Sequence, residues 1–484
     1  MKRQYVWIVF IILVVTVGFT ACAEKQGLVP LQVKATWKLS TKDLQWQDGE
    51  VLTVFQGTGG NADIQIDPAS LRQVIDGFGG AFNEKGWVAL SVLTAAQRDA
   101  VIKELFDPKN GARFTICRVP IGASDYAVSR YTLDEVKNDY DMKHFSIERD
   151  KKYLIPYIKA AMKYRPDLQI WGSDWTPPTW MKTNGAFDGG NMKDDPKVYA
   201  AYALYLARFA EEYRKLGIHV FAVAQQNEPL IETNYPSCLW TPQQFLVFIR
   251  DYMGPLFKKR IPEVQVMLGT VQDADYRKFP RTVLSDKRAL QYVSIVGFQW
   301  DGLAQVAEVK NDFPDLRLMQ TETECGNWFW RPDFKFDPNK PQNDWAYGSY
   351  TWKKIKEFFD AGVDSYMLWN MILDEEGKSI DAKRPWPQNA AVVVNKHTKK
   401  VIYTPMFYAF KHFSFYVTPG AHYVDVTHGY KQAIAFLNPD GKLIIELENS
   451  GTSPSKKSIS IGDYWITVTL PAESWSTIIV PPLQ

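Results

Sequence analysis

The chain contains 484 residues and carries a net charge of +2, from 56 basic and 54 acidic side chains. This balance excludes the basic excess that nucleic-acid-binding proteins carry, so no nucleic-acid partner is expected. Apolar residues make up 46% of the chain, a share typical of a packed globular protein, which excludes disorder as the main state.

Residues 1–22 have the pattern of an export signal. A basic start precedes an apolar stretch over 6–21, which is shorter than the roughly 20 apolar residues that a membrane-spanning helix needs. The stretch ends in Thr20-Ala21-Cys22. This ending resembles a bacterial lipoprotein signal, in which the cysteine is lipidated and becomes the new N-terminus. We therefore predict an exported cell-envelope lipoprotein, periplasmic or at the cell surface, attached to a membrane through Cys22. Plain secretion is the alternative.

Residues 23–76 are expected to form a short tether and a set of strands. From 77 to 415, apolar strand-like runs alternate with amphipathic helical segments. The runs lie at 74–80, 114–120, 169–175, 220–226, 265–271, 294–300, 317–322 and 363–370. Eight strands alternating with helices predict a (β/α)8 TIM barrel, with a doubly wound sheet as the alternative.

Two helices in the barrel region have clear start signals. Thr94 with Gln97 and Thr241 with Gln244 have the spacing of capping boxes. Residues 416–484 are instead closely spaced β-runs separated by turns of the type Pro-Asp-Gly and Ser-Gly. They predict an appended antiparallel β-sandwich domain, to which the N-terminal strands contribute.

Polar and aromatic side chains follow the predicted barrel strands, at the ends where a TIM barrel carries its active site. They combine carboxylates and amides, which bind hydroxyl groups, with indoles, which stack on the apolar face of a sugar ring. These side chains are Asp125, Asp174, Trp175, Asn227, Glu228, Gln299, Trp300, Asp301, Glu322, Glu324, Trp369 and Asn370. The set predicts a carbohydrate site.

Glu228 is the first catalytic candidate. It follows an apolar strand, where barrel side chains desolvate its carboxyl group and raise its pKa toward that of a general acid. Asn227 is placed to hydrogen-bond a sugar 2-hydroxyl. Strand seven, which continues as LMQTETECG, offers Glu322 and Glu324 on one face. Strands four and seven lie on opposite parts of a closed barrel, so two carboxyl groups can approach to about 5–5.5 Å, the separation in a retaining glycosidase.

Several stretches together resemble glycoside hydrolase family 30, which includes the glucosylceramidases. They are GFGGAFNE (77–84), RVPIGASDY (118–126), SDWTPPTWMKTNG (173–185), Asn227-Glu228-Pro229, LWN (368–370) and PMFYAFKHFSFYVTPGA (405–421). The resemblance implies a retaining β-glycosidase on a TIM barrel, with a β-sandwich built from both chain ends. Such a reaction needs no cofactor.

The resemblance also implies residue roles. Glu228 matches the acid/base of the family, and Glu322, four residues before Gly326, matches its nucleophile. Glu324 has no catalytic counterpart in the glucosylceramidases, and we expect it to support Glu322.

Substrate contacts are expected from a further set of residues. Asp125 and Trp175 match residues that hold the innermost sugar, and Trp369 matches an aromatic floor. The complete set of substrate-binding candidates is Asp125, Trp175, Asn227, Gln299, Trp369 and Asn389. Gln299-Trp300-Asp301 stands where the glucosylceramidases have His-Trp-Tyr, which favours a microbial β-glucoside or β-glucan over a ceramide-linked sugar as the substrate.

Other interpretations are less well supported. The glycines of GFGGAF lack the spacing of a dinucleotide fingerprint, no Gly-x-Ser-x-Gly elbow is present, and the four cysteines show no zinc or disulfide spacing. No metal is predicted. Trp180 and Trp386 fit either a substrate platform or packing. Within the family, a glucosylceramidase, an exo-β-glucosidase, an endo-β-1,6-glucanase and a β-xylosidase or β-fucosidase remain open, and a non-catalytic carbohydrate-binding lipoprotein is the alternative from another class.

Overall fold

The structure is a computed structural model that describes residues 28–57, 59–322, 326, 344–385, 387–427 and 429–483. The predicted signal with Cys22, together with Glu324 and Trp386, lies outside the described residues.

The strands and helices alternate along the middle of the chain, and strands alone occupy both ends. The strands are β1 (Val29–Thr41), β2 (Gln47–Asp48), β3 (Leu52–Gln56), β4 (Ile64–Val74), β5 (Gly77–Ala81), β6 (Ile116–Ile121), β7 (Gln169–Asp174), β8 (Val220–Ala224), β9 (Gln265–Val271), β10 (Val293–Gln299), β11 (Arg317–Glu322), β12 (Ser365–Asn370), β13 (Ile372–Asp374), β14 (Val392–Val394), β15 (Val401–Tyr403), β16 (His422–Thr427), β17 (Ala433–Leu437), β18 (Leu443–Asn449), β19 (Ser455–Ile461), β20 (Tyr464–Leu470) and β21 (Ser474–Val480). The helices are α1 (Glu84–Ser91), α2 (Ala95–Phe106), α3 (Leu154–Met162), α4 (Pro196–Lys215), α5 (Pro242–Phe248), α6 (Gly254–Arg260), α7 (Phe279–Leu284), α8 (Lys287–Leu290), α9 (Leu303–Asp312), α10 (Trp345–Ala361) and α11 (Pro405–Tyr416).

The predicted (β/α)8 barrel is confirmed. Strands β5 to β12 close a barrel in chain order, and each of the eight predicted runs supplies one strand. The interior holds a separate apolar cluster that includes Ile116, Trp171, Met267 and Met319. GFGG belongs to β5: a Cβ atom on Gly79 would lie 1.8 Å from the carbonyl oxygen of Ile116, so the close approach of β5 and β6 requires glycine there.

The helix start signals are also confirmed. Capping boxes at Thr94 and Thr241 begin α2 and α5 as predicted. Helix α4 is capped by Asp195 and is followed by Gly217, whose φ of 76° is one that glycine adopts at low cost. Along the part of the chain that the structure describes, no helix is both long and apolar enough to cross a membrane.

The sandwich contains strands from both ends of the chain, as predicted. Its order is β2-β1-β21-β18-β17-β16-β4-β19-β20-β3, and β3 also pairs with β1, so nine strands follow one another around a ring. Among the described residues, the strand pairs of the sandwich are antiparallel except β4 with β19, which is parallel. The predicted sandwich is therefore confirmed, and its one parallel pairing arises because β4 comes from the distant N-terminal segment rather than from a hairpin with β19.

Helices α10 and α11 lie against the sandwich and join it to the barrel. The indole rings of Trp345 and Trp475 stack with centroids 3.7 Å apart. On α11, the fully buried His412 ring contacts the hydroxyl groups of Ser40 at 2.9 Å and Thr477 at 2.7 Å. Apolar and polar contacts thus fix the sandwich on one flank of the barrel.

Candidate active site

Glu228 lies at the barrel mouth after β8, in a strained backbone conformation. Its φ is 47°, in the left-handed region that residues other than glycine seldom adopt. Its N–H donates to the carbonyl of Thr270 at 3.2 Å, and the N–H of Asn227 donates to the carbonyl of Asp174 at 2.6 Å. These bonds to neighbouring strands hold the kink, and such strain is commonly retained where function requires it.

Glu322 ends β11 and is held by a buried arginine. Nη1 of Arg118 donates to Oε2 of Glu322 at 2.8 Å, and Arg118 is 0% exposed. The other guanidinium nitrogens donate to Oδ1 of Asn227 at 2.6 Å and to Oγ of Ser173 at 2.8 Å. Arg118 therefore fixes the carboxyl group of Glu322 and the amide of Asn227 in one arrangement.

Gln299 connects the two glutamates. Its Nε2 lies 3.4 Å from Oε2 of Glu322, and its side chain also hydrogen-bonds Glu228. The hydroxyl of Thr321 donates to Oε1 of Gln299 at 3.3 Å, which turns the nitrogen toward the carboxyl groups. The two glutamates thus share one amide.

Burial and nearby charges change the pKa values of the two carboxyl groups. Glu228 is 8% exposed, and burial followed by the charge of Glu322 raises its pKa to about 8. Burial also raises the pKa of Glu322, but the charge and the hydrogen bond of Arg118 oppose that rise. The contact with Arg118 therefore favours the ionised form of Glu322, whereas burial favours the protonated form of Glu228.

An aromatic and acidic wall stands beside this pair. The rings of Trp175 and Trp369 stack with centroids 5.1 Å apart, and the guanidinium carbon of Arg118 lies 4.3 Å from the centroid of Trp175. Asp125 accepts a hydrogen bond from Trp369, and burial raises the pKa of Asp125 to about 8. Its Oδ1 is buried without a hydrogen-bond partner among the described residues, so a sugar hydroxyl could supply the missing bond.

Three other residues selected from the sequence contact neighbours other than the two glutamates. Asn389 is 2% exposed; its amide nitrogen lies 3.5 Å from Asp344 and next to the space that a Cβ atom on Gly326 would occupy. Asp174 accepts a hydrogen bond from Tyr202 at 2.7 Å on the helix side of β7. Trp180 is 7% exposed and packs against Tyr140, which favours the packing interpretation.

Family models match nearly all of this architecture. The glycosyl hydrolase family 30 TIM-barrel domain matches residues 75–417, and the glycosyl hydrolase family 30 beta sandwich domain matches residues 420–478. The chain belongs to glycosyl hydrolase family 30. This family-30 protein is therefore a glycoside hydrolase.

The proteins to which it is similar have names of two kinds, glucosylceramidase and endo-1,6-glucanase. Putative glucosylceramidase 1 of Caenorhabditis elegans is 30% identical over 81% of this chain and 77% of its own length. The endo-1,6-beta-D-glucanase neg1 of Aspergillus fumigatus is 27% identical over 84% of this chain and 83% of its own length. The structure of SrfJ from Salmonella typhimurium superposes with a TM-score of 0.84, 23% identity and coverage of 93% of this chain and 100% of that chain, which supports the fold.

Two residues of the family-30 site are absent from the sequence-based selection. Arg118 could have been found as the charged residue at an inward position, two residues after Ile116 on an apolar strand. Tyr235 packs against the cluster containing Trp175 and Trp369, and its pKa is raised well above its ordinary value by burial and then by Glu228. Its only sequence signal is an aromatic residue in a polar loop.

The polar groups of this site suit hydroxyl recognition. Among the described residues, no group of three or more histidine, cysteine, aspartate or glutamate side chains is placed to hold a metal ion. The site instead offers the carboxyl groups of Glu228, Glu322 and Asp125, two amides and two indoles.

Proposed function

We propose that this enzyme is a retaining β-glycosidase in which Glu228 is the acid/base and Glu322 is the nucleophile. The carboxylate of Glu322 forms a bond to the anomeric carbon while the bond from that carbon to the glycosidic oxygen breaks. The leaving oxygen takes the proton of Glu228. In the second step Glu228 accepts a proton from water as the water oxygen displaces Glu322 from the anomeric carbon.

One observation carries this proposal: two carboxyl groups at one barrel mouth have opposite electrostatic settings. Arg118 contacts Glu322 and favours its ionised form, whereas burial and the nearby charge keep Glu228 protonated. Two titratable groups whose environments separate their pKa values are the pattern expected for an acid and a nucleophile.

Substitution of the glutamates tests the roles. Glu322→Gln should abolish turnover and leave substrate binding in place, whereas Glu324→Gln should retain measurable activity. The anomer released from an aryl β-glycoside, followed by proton NMR, should keep the β configuration. If Glu324→Gln were the inactive variant, or if the product were the α anomer, the assignment would be wrong.

The substrate we propose is a β-glucoside or a β-glucan. The names of the matched relatives, glucosylceramidases and endo-1,6-beta-glucanases, support a β-linked glucose. An endo-β-1,6-glucanase is the second candidate, because the endo-1,6-glucanase match extends over 84% of this chain. Aryl β-glucosides, β-xylosides and β-fucosides, together with β-1,6-glucan and glucosylceramide, form the test panel. Release of glucose or gluco-oligosaccharides confirms the proposal, and exclusive release of xylose or fucose contradicts it. A non-catalytic binding protein would turn over none of them.

We further propose that the enzyme is exported and held at a membrane by a lipid on Cys22. The support is the N-terminal sequence alone, in which Thr20-Ala21-Cys22 follows an apolar stretch. Mass spectrometry of the mature N-terminus should show an acylated Cys22. An uncleaved chain, or a mature chain starting elsewhere without lipid, would remove this proposal.

A further inference from the structure

The two catalytic candidates divide the barrel mouth into unequal parts. Glu228 follows β8 and Glu322 ends β11, and around the closed barrel β9 and β10 lie between them on one side. Strands β12, β5, β6 and β7 lie between them on the other side. We call these the two-strand side and the four-strand side.

The four-strand side carries the groups suited to the sugar that is attacked. Trp369 belongs to β12, Asp125 follows β6 and Trp175 follows β7. If the reaction is the one proposed above, the sugar that becomes bonded to Glu322 stacks on this side. The leaving group, on the other side of the broken bond, then faces the two-strand side next to Glu228.

Gln272 is the distinctive residue of the two-strand side. It directly follows β9, two residues after Thr270, whose hydroxyl lies 3.0 Å from the amide oxygen of Asn227. Gln272 is 5% exposed, and its Oε1 is buried without a hydrogen-bond partner in the described part of the chain. Buried amide oxygens are nearly always hydrogen-bonded, so this atom is suited to a donor from outside the protein.

The two residues that follow β10 make this side polar. Trp300, with a φ of 53°, follows β10 with its side chain half-buried, and Asp301 beside it is exposed. An indole and a carboxylate next to an amide are groups that bind a sugar by stacking and hydrogen bonding. An alkyl chain would leave Oε1 of Gln272 without a partner and would desolvate Asp301, and both changes cost free energy.

We propose that Gln272 is a specificity-determining residue of a leaving-group subsite that accepts a hydroxylated sugar. The substrate is then a β-linked saccharide, in which the group released with the proton of Glu228 is itself a sugar rather than a lipid. This inference rests on the proposed glycosidase reaction and adds the chemistry of the leaving group to it.

The first test compares leaving groups with and without hydroxyls. In Gln272→Leu, kcat/KM should fall roughly 3- to 10-fold for a β-1,6-linked glucose disaccharide, the effect of one lost neutral hydrogen bond. It should stay within about twofold for 4-nitrophenyl β-glucoside, whose leaving group carries no hydroxyl for Gln272 to bind. Gln291→Leu, an exposed glutamine after α8, is the matched control and should leave both values unchanged.

The second test uses the glycosyl-enzyme formed from the aryl glucoside. An acceptor hydroxyl replaces water: its oxygen bonds to the anomeric carbon, the bond to Glu322 breaks, and the hydroxyl proton passes to Glu228. With glucose and 1-butanol as competing acceptors, the wild type should favour transfer to glucose, and Gln272→Leu should lose that preference. Gln272→Asn, which keeps an amide with a shorter reach, should retain part of it.

The outcomes separate the two proposals. Failure of the wild type to hydrolyse every β-glycoside in the panel overturns the proposed reaction itself. If the wild type hydrolyses the aryl glucoside but Gln272→Leu loses kcat/KM equally for the two substrates, the subsite alone is overturned. An unchanged preference between the two acceptors in Gln272→Leu has the same consequence. Faster hydrolysis of glucosylceramide than of the disaccharide by the wild type also overturns it.

Discussion

Replacement of Arg118 by lysine tests whether the shape of the guanidinium group, and not only its charge, organises the site. Arg118 donates to Glu322, Asn227 and Ser173 at the same time. An ammonium group at the end of a flexible chain can keep the charge near Glu322 but cannot reach all three acceptors. Arg118→Lys should therefore reduce activity strongly although the net charge is unchanged.

The magnitude follows from the contacts that are lost. A hydrogen bond from a charged donor contributes about 1.5–3 kcal/mol, and two of the three are removed. The amide oxygen of Asn227 still accepts from Thr270 and Gln299, which offsets part of the loss. A net loss of about 2–4 kcal/mol in transition-state stabilisation corresponds to a decrease in kcat/KM of roughly 30- to 900-fold.

The assay is kcat/KM for an aryl β-glucoside as a function of pH, with thermal unfolding as a folding check. Arg118→Met should in addition move the acid limb of the profile toward neutral pH, because loss of the arginine charge raises the pKa of Glu322 further. Arg260→Lys, which alters a bidentate ion pair with Glu211 outside the barrel, is the control and should retain wild-type activity. A folded Arg118→Lys enzyme with more than about a third of wild-type kcat/KM, or an unmoved acid limb in Arg118→Met, would refute the reasoning.

Three further predictions concern other parts of the molecule. Because the pKa of Glu228 is raised to about 8, we expect an alkaline limb near that pH in the wild type, and Glu228→Gln should remove it. The same variant should slow substrates with poor leaving groups more than activated aryl glucosides; equal slowing of both classes would contradict the acid role. Trp369→Phe, which keeps an aromatic ring but loses the hydrogen bond to Asp125, should raise KM about 2- to 10-fold with a smaller change in kcat, and a change in kcat alone would argue against substrate contact. Burial lowers the pKa of His412 to about 3 from its ordinary 6.5, so the unfolded chain binds a proton that the folded chain excludes. The folding free energy that depends on this pKa difference is complete above pH 6.5 and is lost as the pH falls, by about 2 kcal/mol at pH 5. In thermal unfolding, His412→Gln should lose less stability over this range than the wild type, and parallel losses would contradict the prediction.

Much of the fold was predictable because it depends on local patterns. All eight barrel strands are short apolar runs between helical segments, and the capping boxes at Thr94 and Thr241 depend only on residues three apart. The parallel pairing of β4 with β19 was not predictable, because no local feature specifies which distant strand completes an edge.

The candidate site shows the same division between local and distant signals. Glu228 and Glu322 could be selected from the sequence because each lies at or just after the end of a recognisable strand, and a closed barrel brings such strand ends together. The bridging position of Gln299 and the triple contact of Arg118 depend on side chains from strands far apart in the chain. Gln272 gave no sequence signal, because only its burial without a partner distinguishes it from other glutamines.

The interleaving of the two chain ends in the sandwich bears on how the protein is made. Strand β1 has β21 as its neighbour, with Thr36 opposite Ile479, so a strand that leaves the ribosome early is completed by one that leaves it much later. Pairings between residues so far apart in the chain form slowly and late. Until β21 has been synthesised, the edge of β1 that it covers stays unpaired. A chain that lacks β21 therefore also leaves β1 without its partner, so a change near one end of the described chain disturbs strands near the other.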